Sequence, residues 1–348
     1  MSLHDELTAS GQDEAAWRRE ARILSGEVKR LQRERDELVA RLDLAVAVDE
    51  AMLKPPTWVR KPGTGGHHGM VSAVLSDTHY GEVVDPKQID FINAYNPRIA
   101  EMRTKAFFEK TLELARDYVK GIAYDGGVLF MTGDMTSGTI HEELTETNAE
   151  TTAESIVHWI EPLISGINML AEDLGHILVP CVVGNHGRNT RKPRAKRRAQ
   201  DNNDWLLYKL LQREFARRDD VQIMVSDAAD LIVPIYDTVF LTHHGDQYKG
   251  GSGIAAMLSP LMIGHARKSQ RQLAVGRPFD WEVMGHWHNQ WQGKGLIVSG
   301  ALKGYDEYAY VNNFQVEPPR MSWWITTPER GLTISAAVEP MDRGKEGW

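Results

Sequence analysis

Five short β-branched runs of this chain end in residues able to bind a metal, and that recurrence restricts the possible folds more than any bulk property. The runs close on Asp77-Thr78-His79, Gly133-Asp134, Gly184-Asn185-His186, His243-His244-Gly245 and Gly285-His286-Trp287-His288. One such ending means little, since a histidine at a strand end is most often a structural residue with its hydrogen bonds made. Five in succession call for a fold that gathers strand ends. A parallel sheet does this, because its C-terminal strand ends converge on one edge and bring distant residues into a single crevice.

The rest of the chain is consistent with an α/β domain. Strands are expected at Val71–Leu75, Val128–Thr132, Ile177–Val183, Val221–Val225, Leu231–Ile235, Thr238–Thr242, Trp281–Met284 and Leu296–Ser299, in a largely parallel sheet. Helices are expected between them. One carries Ile156, Ile160, Leu163, Ile167 and Leu170 on a single face, and another carries Leu207, Leu210, Leu211 and Phe215. The lone cysteine, Cys181, lies in an apolar run and reads as a buried strand residue.

Residues 1–53 read differently. Trp17, Leu24, Leu31, Leu38 and Ala45 recur every seven residues, and Ala21, Val28, Arg35 and Leu42 follow at an offset of four. This suits a coiled coil that joins copies of the chain, with Arg35 as a polar interruption, although a helix packed on its own domain would show the same stripe. Lys54-Pro55-Pro56 stops the pattern, and residues 54–69, including His67 and His68, read as a linker. The main domain is expected over 70–340 and a tail over 341–348. With no long apolar run and no basic-then-apolar leader at Met1–Glu6, the chain reads as cytoplasmic, with no membrane contact.

In order and spelling the five endings resemble the signature of the calcineurin-like metallophosphoesterases, DxH, GD, GNH, H and GHxH, over roughly Val71 to Ser299. The resemblance implies two β-sheets packed together and flanked by helices, an αββα sandwich, around two divalent cations. Mn, Fe and Zn all suit carboxylate and imidazole donors. It implies that one ion takes Asp77, His79 and His288, that the other takes Asn185, His244 and His286, and that Asp134 bridges them. Spacing along an extended segment would turn His286 and His288 to the same side. His244, the histidine before Gly, is the ligand by this pattern, with His243 facing away and Asp246 as an orienting partner. His186 is expected beside the ions as the catalytic group, protonating the leaving oxygen or hydrogen-bonding the phosphoryl group while an activated water attacks.

Departures from the signature narrow the substrate. Met135-Thr136-Ser137-Gly138 follows Asp134, without the arginine of the Ser/Thr protein phosphatases or the histidine of the repair nucleases, although His141 lies close by. After His186 come Gly187-Arg188 and a basic run to Arg198, which suits a polyanion held by its phosphates. Arg188, Arg191, Lys192 and Arg194 are the candidate substrate contacts. Arg267, Lys268 and Arg271 form a thinner basic group, and Tyr305, Tyr308, Tyr310 and Phe314 could stack bases. The GNHGR spelling with its basic insert looks like phage- or prophage-type members. The expected activity is therefore hydrolysis of phosphodiesters in DNA or RNA. The alternatives are a phosphatase or phosphodiesterase acting on a small nucleotide, and a metal-holding scaffold without activity.

Overall fold

The computed structural model describes residues 19, 22–39, 53–249 and 257–348. Its contacts separate at Leu53/Lys54 into two units. In the first, residues 22–39 form helix α1. Leu24, Val28, Leu31 and Leu38 of the heptad stripe are all more than half exposed. Trp17, Ala21, Leu42 and Ala45, on which the coiled-coil expectation also rests, lie outside the described residues. No helix among the described residues is long and apolar enough to cross a membrane.

The second unit is built on two sheets. The first joins β1 (His68–Leu75), β2 (Ala123–Met131), β3 (Ile177–Cys181), β4 (Val221–Val225), β10 (Met321–Thr327) and β11 (Gly331–Val338) in the order β11-β10-β1-β2-β3-β4. Strands β1 to β4 run parallel, while β10 and β11 are antiparallel additions on the β1 side. The second sheet joins β5 (Asp230–Ile235), β6 (Thr238–His243), β7 (Trp281–Met284), β8 (Trp291–Gly293) and β9 (Leu296–Val298) in the order β5-β6-β7-β9-β8. In it only β6, β7 and β9 are mutually parallel. The sheets are thus mixed, and β8, β10 and β11 add to the strands expected from sequence.

Side-chain alternation divides each strand of the first sheet between two cores. Met70 and Val74 of β1, with Val128 and Phe130 of β2, pack toward the second sheet against Val233, Phe240, Val283 and Ile297. Val71, Ala73 and Leu75 face the other way, onto helices α2 (Pro97–Glu113), α4 (Thr152–Leu174) and α5 (Asn203–Glu214). With both faces covered, β1 reads as a nearly continuous apolar run. Helix α4 shows why its segment folds as it does. Thr151 and Glu154 form a capping box at its start, Gly175 ends it at φ 82°, and Ile156, Trp159, Leu163, Ile167 and Leu170 bury one stripe. Helix α6 (Leu258–Ala274) places Leu261 against Met284, Leu296 and Val298 on the outer face of the second sheet. The layers are therefore helix, sheet, sheet, helix.

Two boundaries differ from expectation. Residues expected as a linker are packed: Val59 is fully buried in the core between the sheets, and His68 opens β1 with its Nδ1 2.7 Å from Asp125. The expected tail is docked too. Glu346, in the short helix α8 (Arg343–Glu346), meets the buried Arg103 guanidinium through two bonds of 2.9 Å. Both departures have one cause, an apolar or paired residue hidden in a segment whose composition looks loop-like.

Candidate metal centre

The parallel ends of β1, β2 and β3 and of β6 and β7 open on the same side, and the loops that follow are stitched to one another by backbone bonds. Asp77 N–H donates to Gly133 O at 3.1 Å, His79 N–H to Asp134 O at 3.0 Å, and Gly285 N–H to His244 O at 3.0 Å. Close approach demands the glycines. A Cβ on Gly184 would lie 2.0 Å from Asp134 Oδ1, and one on Gly133 would lie 2.3 Å from Gly184 N.

Asp77, His79, Asp134, His286 and His288 all have φ between 42° and 70°, in the left-handed region that residues with a Cβ rarely enter. Such strain tends to gather at sites where surrounding structure forces it for a purpose. It also corrects the expectation about Gly285 to His288. The segment is a turn, with Trp287 N–H donating to Gly285 O at 2.8 Å, so alternation along an extended strand does not apply. The two imidazoles diverge to different donor groups.

One group is Asp77, His79 and His288; another is Asp134, His244 and His286. Within the first, His288 Nε2 lies 3.3 Å from both Asp77 Oδ1 and His79 Nε2. Within the second, His244 Nε2 lies 3.0 Å from Asp134 Oδ2, and Asn185 Oδ1 joins at 3.2 Å from the same nitrogen. Asp134 also falls in a group with His79 and His186, so its carboxylate stands between the two sets.

Three features fit this donor set to divalent cations. First, His244 Nδ1 is 2.7 Å from Thr132 O and so donates there, leaving Nε2 of the neutral ring as an acceptor facing two more acceptors. Only a proton or a cation resolves that arrangement. Without a cation the ring takes the proton: burial opposes the charge, but the Asp134 carboxylate pushes His244 up to about 10. Second, the facing Nε2 atoms of His79 and His288 are two ring nitrogens within one coordination radius of a common point. Third, burial holds His79 well below the usual imidazole range and takes His286 down to about 4, so both rings offer lone pairs at neutral pH. Asp77 and Asp134 stay ionised despite burial because histidines face them, His288 at Asp77 and His244 at Asp134.

No family model matches the sequence, and no curated protein does. Among solved structures the chain is similar to a dimetal phosphatase from Danio rerio, at 10% identity and TM-score 0.32 over 78% of this chain and 99% of that one. It is similar to Vacuolar Protein Sorting 29 from Cryptosporidium parvum, at 12% identity and TM-score 0.31 over 78% and 98%. It is also similar to a protein from Streptococcus pneumoniae described as a predicted phosphoesterase, at 11% identity and TM-score 0.29 over 79% and 98%.

Around the donors, other expected residues take distinct positions. His186 lies with its ring centroid 4.4 Å from that of His79, and its Nδ1 donates to Ser137 O at 2.8 Å, which leaves Nε2 free. Burial lowers His186 to about 4. His141 stands just before α3 (Glu142–Thr147), its side chain making no capping bond, with its ring centroid 5.7 Å from that of His186. His243 points away from the donors to Glu282, and Asp246 is held by Arg198 through bonds of 2.7 and 2.8 Å. In the basic loop, Arg188 spends its guanidinium on its own backbone, at Thr190 O, Asn185 O and Arg191 O. Arg191 reaches Glu142 at 2.6 Å on the surface, and Lys192 and Arg194 are exposed. Lys268 and Arg271 both bind Asp230, away from the donors. Tyr305 is buried, whereas Tyr308 and Phe314 pair on the surface at 5.8 Å.

Sequence reasoning missed the residues that hold the donors in place. Asp204, fully buried in the first turn of α5, accepts the N–H groups of Asp134, Met135 and Gly184 at 2.9 to 3.1 Å. Lys303 is buried between Glu82 at 2.8 Å and Asp306 at 2.6 Å, and the other Glu82 oxygen lies 3.5 Å from His79 Nδ1. Asn202, the N-cap of α5, gives the only sequence-level hint of Asp204, since an acid just after a cap reads as ordinary helix-dipole chemistry.

Proposed function

We propose that this chain is a dinuclear-metal phosphoesterase of the calcineurin-like type, cleaving phosphodiester bonds in a polynucleotide. The observation that carries the reading is the Asp134 carboxylate, which stands between two buried donor groups of two histidines each. Asp77, His79 and His288 would hold one ion, and Asn185, His244 and His286 the other. Bound there, two divalent cations, Mn foremost, would supply Lewis acidity that activates a water and offsets phosphoryl charge.

The chain's own residues supply the rest. Thr132 O and Ser137 O each fix one tautomer, at His244 and His186, so that their Nε2 atoms face the centre. His186 is neutral before substrate arrives, and an incoming phosphoryl anion raises its affinity for a proton. It then donates from Nε2 to the departing oxygen or to the phosphoryl group. Rigid placement matters more than flexibility here; backbone bonds join the 76–80 loop to the 133–135 loop and Gly285 to His244, and the His286 N–H donates to the Asp77 carboxylate.

Polynucleotide is the favoured substrate class because exposed Arg191, Lys192, Arg194, Lys196 and Arg197 hang from the segment that begins at Asn185 and His186. The deciding experiment compares wild type and Asp134→Ala, with added Mn, on bis-p-nitrophenyl phosphate, single- and double-stranded DNA, and RNA. Cleavage of polynucleotide that disappears in the variant supports the proposal. Activity confined to the small diester retains the phosphoesterase and removes the nuclease, and inactivity on every substrate rejects both.

A further inference from the structure

His79 differs from its neighbours at the centre in what stands behind its ring. His244 and His186 each give Nδ1–H to a backbone carbonyl, at Thr132 O and Ser137 O. His79 turns Nε2 to the donor group, 3.3 Å from His288 Nε2, but its Nδ1 is buried and meets no hydrogen-bond partner. Such orphans are rare enough in folded proteins to call for a reason. An acceptor stands 3.5 Å away, Oε2 of Glu82. A tight turn puts it there: Glu82 N–H donates to His79 O at 3.0 Å, and Gly81 takes the third place of the turn at φ 98°. A Cβ on Gly81 would lie 2.5 Å from Ser155 Oγ, so the turn is glycine's by space as well as by conformation.

The Glu82 carboxylate is held from its other end. Oε1 takes the ammonium of buried Lys303 at 2.8 Å, and Lys303 is matched in turn to Asp306 at 2.6 Å. Among the described residues Oε2 has no partner nearer than Ser137 Oγ and His79 Nδ1, each at 3.5 Å, and the Ser137 hydroxyl donates to Asn148 Oδ1 at 2.9 Å. An unmatched acceptor therefore faces an unmatched ring nitrogen across a gap just too long for a hydrogen bond. We infer that Glu82 is the positioning residue of the His79 donor group: Oε2 accepts Nδ1–H when a cation sits at Nε2, which fixes the ligating tautomer and makes the ring a stronger donor. This rests on the dinuclear reading above. Lys303 then has a definite part, since it occupies Oε1 and leaves Oε2 to the imidazole. The role is confined to one ion, because the group of Asp134, His244 and His286 has Thr132 O for the same purpose.

Glu82→Gln is a sharp test because Lys303 dictates how the new amide lies. An ammonium can only donate, so the amide oxygen turns to Lys303 and the NH2 to His79, whose Nδ1 must then accept and whose proton moves to Nε2, where the cation should bind. Calorimetric titration with Mn should show two binding events in the wild type and, in the variant, one of them weakened by about tenfold to a hundredfold with the other kept. In Glu82→Gln/Lys303→Met the amide is free to present its oxygen to Nδ1, and part of the lost affinity should return; a Glu82–Lys303 pair that acted only as support would give a further loss instead. A crystal structure of the Mn-loaded wild type tests the same bond without any variant: the distance from Glu82 Oε2 to His79 Nδ1 should close from 3.5 Å to about 2.8 Å. Unchanged affinity in Glu82→Gln, no recovery in the folded double variant, or a gap that stays open with both ions bound would overturn the inference and leave the dinuclear centre standing. A wild type that binds fewer than two Mn ions would strike the reading beneath it.

Discussion

Asp204 Oδ2 accepts the backbone N–H of Asp134 at 2.9 Å and, at the same distance, that of Gly184, so one buried carboxylate joins the loop of Asp134 to the loop of Asn185. Its other oxygen takes Met135 N–H at 3.1 Å. Burial and the Asp134 charge raise Asp204 to about 6, which leaves it mostly an all-acceptor carboxylate at neutral pH. The distance between the two donor groups therefore depends on a residue that belongs to neither.

Asp204→Ala should strand three buried N–H groups at a cost of about 3 kcal/mol or more, and should weaken metal binding by about tenfold to a hundredfold. Asp204→Asn keeps one acceptor but turns an NH2 toward a donor, and should fall between. Thermal unfolding without metal and calorimetric titration with Mn separate the two effects. A variant with wild-type stability and wild-type metal affinity would show that Asp204 is not the strut.

Much of this was legible in the sequence, and for a definite reason. The expected strands ending near Asp77, Asp134, Asn185, His244 and His286 exist because each is a short apolar run buried on both faces, and the ligand types that close them are unusual as a set. The strands β10 and β11 carry no such ending, and the half-buried β11 alternates weakly, so nothing in the pattern separates them from loop. Asp204, Glu82 and Lys303 were not legible, because a charged residue near a helix start or in a loop looks solvated until its partners are known. The left-handed backbone at Asp77 and His288 likewise depends on neighbours 209 to 211 residues away in the chain, a relationship local patterns do not contain.

His186→Ala should lower kcat by about a hundredfold to ten-thousandfold, while mass spectrometry of the metal-loaded protein still counts two ions. The reason is positional. Its backbone N–H supports Asp134 Oδ1 at 2.7 Å whatever the side chain is, so alanine spares the Asp134 carboxylate. Substrates whose leaving group needs no proton, such as a p-nitrophenyl ester, should lose least. A loss of bound metal equal to that of Asp134→Ala would move His186 into the donor set.

The heptad stripe predicts self-association of the full chain through the segment containing α1. Leu24, Leu31 and Leu38, each more than half exposed, would bury roughly 1.5 to 3 kcal/mol apiece in a paired seam. Leu31→Asp should reduce the mass seen by light scattering at micromolar protein, with turnover of a small diester kept. An unchanged mass, or a monomeric wild type, would leave the stripe without a partner of its own kind.

Asp306→Asn isolates the buried ion pair beside His79 from its neighbouring cap. The Asn side chain still accepts Ala309 N–H, as Asp306 Oδ1 does at 2.7 Å, but no longer balances Lys303 at 2.6 Å. Burial works against the Asp306 charge, yet the Lys303 ammonium and then His288 pull the group from 3.8 to about 2. A folded-state pKa below the unfolded one adds stability at higher pH, here roughly 2 kcal/mol, present above pH 3.8 and lost as pH falls through about 2. The stability gap between wild type and variant in urea should therefore be constant from neutrality down to about pH 5 and should shrink steadily below about pH 4. A gap that persisted undiminished at the acid end would mean that Asp306 contributes through packing rather than charge, and that Lys303 is held in place by Glu82 alone.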